Sequence, residues 1–284
     1  MRTLLLQLDT SRHASVFDRV VACDGGADEV MSYGGVTTDD VRDLVHGAIF
    51  TRGPRDLHHT AIFIGGSDMT AGEHVLAAVQ KAFFGPMRVS VMLDSNGSNT
   101  TAAAAVAKLQ QGAGSLRDRR VLIAAGTGPV GVRAAGLLAR AGAHVTITSR
   151  SEAGQAAAGQ VESRFGATVR ALTVSTSAHM TAALDGVELL LNTGPAGVQL
   201  VPRSAWVGRP GLRAIADVNA VPPLGIEGVE SRDDGVERDG VTAFGALAIG
   251  GLKMKIHKAC IARLFERNDL VLDAETIVEV AESL

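Results

Sequence analysis

The stretch Gly126-Thr-Gly-Pro-Val-Gly131 limits the fold more than any other part of the chain. It follows an apolar run, Arg120 to Ala125, and opens an Ala/Leu-rich segment that reaches Ala141. In a G-x-G-x-x-G at that place each glycine has a physical task. The first permits the tight turn out of a strand, the second lets the backbone approach a pyrophosphate, and the third lets helix pack on strand. The positive end of the helix dipole then meets the phosphates. Gly126, Gly128 and Gly131 are therefore expected at a dinucleotide, and the surrounding alternation of strand and helix predicts a parallel, doubly wound sheet.

The end of the next strand, His144 to Ser149, selects the dinucleotide, because an acidic side chain there would bind a ribose 2′-hydroxyl and repel a 2′-phosphate. This chain has Thr148, Ser149, Arg150 and Ser151. Arg150 can pair with a 2′-phosphate and the serines can donate to it, which favours NADP. Glu152 leaves NAD open.

The first hundred residues alternate as well, with strands expected at 3–8, 61–64 and 89–93 and helices at 15–22, 38–45 and 71–83. A long alanine-rich helix, 98–111, leads out of this region, and two helices, 252–265 and 273–284, close the chain. The expected organisation is an α/β fold of two domains. A Rossmann-type domain over 112–245 is inserted in a substrate domain made of 1–111 and 246–284. At 284 residues with 46% hydrophobic and 20% charged side chains, both domains can bury a core.

Net charge narrows the partners. With 27 Lys+Arg against 30 Asp+Glu the formal charge is −3, so no broad positive field is present for nucleic acid or an acidic membrane. Cys23 and Cys260 stand far apart and outside any metal-ligand spacing, so neither a disulfide framework nor a metal site is expected. His58 and His59 read as loop histidines. No signal-peptide pattern and no long apolar span is seen, and a cytoplasmic location is expected.

Two further clusters carry chemistry. Asp94-Ser-Asn-Gly-Ser-Asn-Thr-Thr101 follows a strand with seven polar side chains in eight residues. Ligands bind at that edge of an α/β sheet, and Asp94, Asn96, Ser98 and Thr101 suit a polar heterocycle; an Asx-type helix start explains the same residues. Gly250-Gly-Leu-Lys-Met-Lys-Ile-His-Lys258 places Lys253 and His257 four apart on one helical face, where they either reach the cleft or form a solvated surface.

Taken together these strings resemble the methylene-tetrahydromethanopterin/methylene-tetrahydrofolate dehydrogenase family. The likeness includes Asp24-Gly-Gly-Ala-Asp28, Asp94-Ser-Asn-Gly-Ser-Asn-Thr-Thr101, Gly126-Thr-Gly-Pro-Val-Gly131, Asp217-Val-Asn-Ala-Val-Pro-Pro-Leu-Gly225 and Gly250-Gly-Leu-Lys253. It implies a pterin-binding domain, an NADP-binding domain, a homo-oligomer, and hydride transfer from the methylene bridge of a tetrahydromethanopterin or tetrahydrofolate substrate to NADP. It also implies that Lys253 positions the substrate, with Asp94 and Thr101 at the pterin; His257 is expected at the substrate from its place on the face of Lys253. It places Thr127, Pro129, Val130 and Arg150 near the cofactor, where Asn219 is expected as well. Hydride loss driven by nitrogen lone pairs needs alignment and no strong base, so the lack of a Ser/His/Asp arrangement is expected. Related folate enzymes that also hydrolyse the methenyl product carry Tyr-x-x-x-Lys; here Tyr33 is followed at the fourth place by Thr37, so cyclohydrolase activity is not expected. Two alternatives stay open at this point: a shikimate- or amino-acid-type NADP dehydrogenase, and a non-catalytic NADP sensor.

Overall fold

In the computed structural model, which describes residues 1–284, strands and helices alternate along most of the chain. They run β1 (Leu4–Asp9), α1 (Val16–Asp24), β2 (Glu29–Gly34), α2 (Thr38–Ile49), β3 (Thr60–Gly65), α3 (Met69–Ala82), β4 (Ser90–Leu93) and α4 (Ser98–Ala113). Then follow β5 (Arg120–Ala124), α5 (Pro129–Arg140), β6 (His144–Ser149), α6 (Ala153–Phe165), β7 (Arg170–Thr173), α7 (Ser177–Ala183), β8 (Leu189–Asn192), α8 (Arg203–Trp206) and β9 (Ala214–Asp217). The chain ends with β10 (Asp234–Arg238), β11 (Val241–Phe244), α9 (Ala246–Arg263), β12 (Val271–Leu272) and α10 (Ala274–Glu282).

Two units result, Met1–Thr100 with Met254–Leu284, and Thr101–Lys253. Both divisions fall inside helices, α4 and α9, and not at the 111/112 and 245/246 positions read from the sequence. A continuous helix offers no loop at which a composition change could mark the boundary.

The first unit holds a five-stranded sheet in the order β12-β4-β3-β1-β2, parallel throughout. Its inner strands are apolar runs because helices cover both faces; β3 and β4 are buried at every residue. Register aligns Leu6, Ile62 and Val91, and likewise Leu8, Ile64 and Leu93. These rows pack with Val41, Val45 and Ile49 of α2 and Val75 and Val79 of α3 in one core.

The second unit holds seven strands in the order β10-β11-β9-β8-β5-β6-β7, parallel except for the antiparallel β10. Leu122, Leu190, Ile215 and Ala243 form one row across four strands and pack around the fully buried Trp206. This is the Rossmann-type arrangement expected, with β5 between β8 and β6 and the chain crossing to either side of it. Three strands end together there, at Ala124, Asn192 and Asp217. No helix is long and apolar enough to cross a membrane.

Both cysteines are free. Cys23 is exposed on α1, whereas Cys260 on α9 is fully buried and its thiol is pushed up to about 12, chiefly by burial and secondarily by the charge of Asp94. A thiol reagent at neutral pH should therefore titrate one group in the native protein and two in denaturant. Reaction of both in the native state would contradict the packing around Cys260.

Candidate functional site

The glycine turn between β5 and α5 is built by steric necessity. Ala125 takes a left-handed conformation, φ 52°, and its N–H donates to Thr148 Oγ1 at 3.1 Å, while Gly126 N–H donates to Thr148 O at 3.0 Å. A Cβ on Gly126 would stand 2.9 Å from Cβ of Ile147, and one on Gly131 would stand 2.6 Å from Cα of Gly126. Both positions therefore exclude side chains. Gly128 is different, since a Cβ there would meet nothing within 4 Å. That open space lies at the N-cap of α5, where the first backbone N–H groups of a helix have no internal partner. Pro129 occupies the first turn, where its missing N–H costs nothing.

A cavity of about 490 Å³ adjoins this turn, lined by Thr127, Gly128, Arg150, Met180, Thr193 and Pro195 among others. An acidic side chain is missing from its β6 wall; Glu152, exposed at the start of α6, is not part of the lining. Pro129 and Val130 are half-buried at the start of α5 and outside the lining. Two expectations are corrected. Ser149 lines the cavity, yet its hydroxyl is already engaged: it donates to Ser151 O and accepts from Gly154 N–H at 3.1 Å, which starts α6. Ser149 thus has no proton left for a phosphate, whereas Arg150 is exposed and lines the cavity. Asn219 does not line the cavity; it is 4% exposed, accepts from Gly197 N–H at 3.3 Å and Val221 N–H at 2.9 Å, and donates to Pro223 O at 3.2 Å.

In the first unit, Asp94 directly follows β4 and accepts from Thr100 N–H at 3.0 Å and Thr100 Oγ1 at 2.6 Å, locking the start of α4. It is 1% exposed. Ser98 is buried and donates to Ser95 O at 2.8 Å, so it serves the same turn and faces no ligand. His257 is also corrected. Its ring is fully buried, stacked on Phe63 at 5.4 Å, and belongs to the core of this unit. Asn96 is exposed in a left-handed conformation, φ 57°, its backbone held by Gly66 O at 2.5 Å. Thr101 and Lys253 are half-buried.

Three buried polar residues at strand ends, Asp9, Asn192 and Asp217, have no site role in the sequence-based expectations. Asp9 accepts from Ser11 and Ser15 N–H at 2.8 and 2.9 Å and so shapes the loop after β1. The available signal was a single polar residue closing an otherwise apolar strand, as in Leu-Leu-Leu-Asn and Ala-Ile-Ala-Asp.

Residues 16–96 match the model of the methylene-tetrahydromethanopterin dehydrogenase N-terminal domain. Over its full length the chain is 31% identical to an NAD(P)-dependent methylenetetrahydromethanopterin dehydrogenase of Methylorubrum extorquens, covering 99% of this chain and 98% of that one. The chain belongs to the methylene-tetrahydromethanopterin dehydrogenase family. It is a one-carbon oxidoreductase. A second relative from the same organism, the bifunctional protein MdtA, is 50% identical over 100% of this chain and 99% of its own. Among solved structures, the shikimate 5-dehydrogenase of Listeria monocytogenes superposes with a TM-score of 0.58 at 12% identity, covering 98% of this chain and 96% of that one. The 5-ketofructose reductase of a Gluconobacter species gives 0.52 at 18%, covering 100% and 99%. At such identities the likeness is one of fold, and fold alone does not choose a substrate. Family membership separates the pterin dehydrogenases from the shikimate-type reading.

Proposed function

We propose that this methylene-tetrahydromethanopterin dehydrogenase family member transfers a hydride from the methylene carbon bridging two pterin nitrogens to NADP, leaving the methenyl product, with tetrahydromethanopterin and tetrahydrofolate substrates both accepted. The observation that carries the cofactor half is the cavity beside Gly128, whose β6 wall presents Arg150 and no carboxylate. The residues fit a dinucleotide phosphate, because Gly128 leaves room at the N-terminus of α5 where a side chain elsewhere in the turn would collide. When bound, the nicotinamide supplies the hydride acceptor. The chain's part is placement: Gly128 and Thr127 hold the pyrophosphate and Arg150 pairs with the 2′-phosphate. Lys253, Asn96 and Thr101 orient the pterin, with Asp94 keeping the Asn96 turn in shape. Lys253 acts as a hydrogen-bond donor, since its positive charge cannot favour a cation forming on the substrate. We further propose a dehydrogenase without cyclohydrolase activity, as Tyr33 sits half-way out at the edge strand β2 with Thr37 four residues on.

Arg150→Ala tests the cofactor assignment by calorimetric titration. A charge-assisted contact contributes about 1.5–3 kcal/mol, so NADP affinity should fall roughly 10- to 150-fold while NAD affinity changes less than about 2-fold. Equal loss for both dinucleotides would overturn the choice of NADP.

A further inference from the structure

We infer that Asp217, a buried carboxylate outside the lining of the cavity beside Gly128, is the positioning residue for the nicotinamide half of the cofactor crevice. The inference rests on the dinucleotide reading of the second unit. Asp217 closes β9 directly beside Asn192, which closes β8, in the parallel register of the two strands. It is 1% exposed and Asn192 is fully buried. Its Oδ1 accepts from Asn192 Nδ2 at 2.7 Å and from Asn219 N–H at 2.9 Å; its Oδ2 accepts from Ile226 N–H at 2.9 Å.

Each donor ties down a loop. Asn192 Oδ1 accepts from Gly194 N–H at 3.2 Å, and Asn219 Oδ1 accepts from Gly197 N–H, so the segment after β8 is pinned at both ends. Leu200 and Val201 N–H both donate to Gly225 O, at 2.9 and 3.0 Å, which joins that segment to the loop after β9. Gly225 admits no side chain, because a Cβ there would overlap the Asn192 amide. The pinned segment supplies Thr193, Pro195, Val198 and Leu200 to the cavity wall, and it has neither helix nor strand pairing of its own from 193 to 200. Its shape is set by this network. A buried carboxylate is costly unless its oxygens are met by donors; here three N–H groups meet them, and all three fix backbone that faces, or braces, the cavity.

Strand order says which half of the ligand is affected. Arg150 reads the adenosine end beyond β6, and a dinucleotide lies across the switch point, so its other half lies over β8 and β9. Asp217 therefore governs nicotinamide placement without touching it.

The test uses Asp217→Asn, which keeps size but turns one acceptor into an N–H donor aimed at another donor, and Asn219→Ala, a milder cut in the same network. For each, affinity is measured for NADP and for 2′,5′-ADP, which carries only the adenosine half, together with kcat on methylene-tetrahydromethanopterin. At least one variant should show NADP affinity and kcat each lowered 10-fold or more, with 2′,5′-ADP bound within 2-fold of the parent chain. Equal loss of NADP and 2′,5′-ADP would mark a general structural role, and unchanged NADP binding and kcat would mark no role; either overturns the inference. If Asp217→Asn does not fold, Asn219→Ala decides alone. Titrations of the parent chain with 5′-ADP and NAD keep the two readings apart. Failure to prefer 2′,5′-ADP over 5′-ADP contradicts the Arg150 assignment only, and the Asp217 comparison then runs on the NAD and 5′-ADP pair.

Discussion

Replacing Lys253 by alanine should lower kcat/KM for the pterin substrate by about 100-fold and leave the dissociation constant of NADP unchanged. The size follows from alignment, since a misplacement of about 1 Å between reacting centres can cost a factor of that order. Lys253 stands one helical turn before His257 on α9, and the buried His257 ring stacked on Phe63 fixes that side of the helix. The lysine side chain therefore starts from a rigid base. Steady-state kinetics with the cofactor saturating, paired with cofactor titration, separates its effect on the pterin from any effect on NADP. Full turnover in Lys253→Ala would remove the residue from the site.

Two neighbouring glycines should fail in opposite ways. Gly131→Ala places a Cβ against the backbone of Gly126, which cannot move without undoing the turn, so the variant should lose stability. Overpacking of this kind costs about 1–3 kcal/mol. Gly128→Ala meets no atom within 4 Å and keeps φ −79°, open to any residue, so its melting temperature should match the parent chain. The added methyl nevertheless fills the space assigned to the pyrophosphate, and NADP affinity should fall at least about 10-fold, by analogy with other tight-fit losses. Thermal melts and titrations on the pair give the answer. A stable Gly131→Ala chain, or a Gly128→Ala chain that binds NADP normally, would show that the turn has been misread.

Where the sequence was legible, burial had written the pattern. Strands β3, β4, β8 and β9 are apolar because both faces are covered, and the run His144 to Ser149 coincides with β6. Edge strands carry no such mark. β2 is exposed at three of six residues, β10 at four of five, and β12 has only two residues, so backbone pairing decides them and not hydropathy. One cue to the β10–β11 hairpin was present: Asp239-Gly240, both with positive φ (49° and 81°), form the two-residue turn between Arg238 and Val241.

The site shows the same division. Residue type was readable, but the direction of a side chain and the fate of its protons were not. Ser149 shares a strand face with Val145 and Ile147, the buried side, and that alternation was the clue that its hydroxyl turns inward to Gly154. Spacing placed His257 on the face of Lys253 without revealing that one turn later the helix has entered the core. Asn219, expected at the cofactor, instead uses its three hydrogen bonds to brace the backbone. Asp217 and Asn192 were assigned no site role, yet their hydrogen bonds brace the segment that lines the cavity.

The most direct test is turnover of the purified chain with methylene-tetrahydromethanopterin and with methylene-tetrahydrofolate, each supplied with NADP and with NAD and followed by absorbance of the reduced dinucleotide. The account predicts reduction of NADP by both pterins and a much weaker response with NAD. Binding of NADP without turnover in any of the four pairs would contradict it.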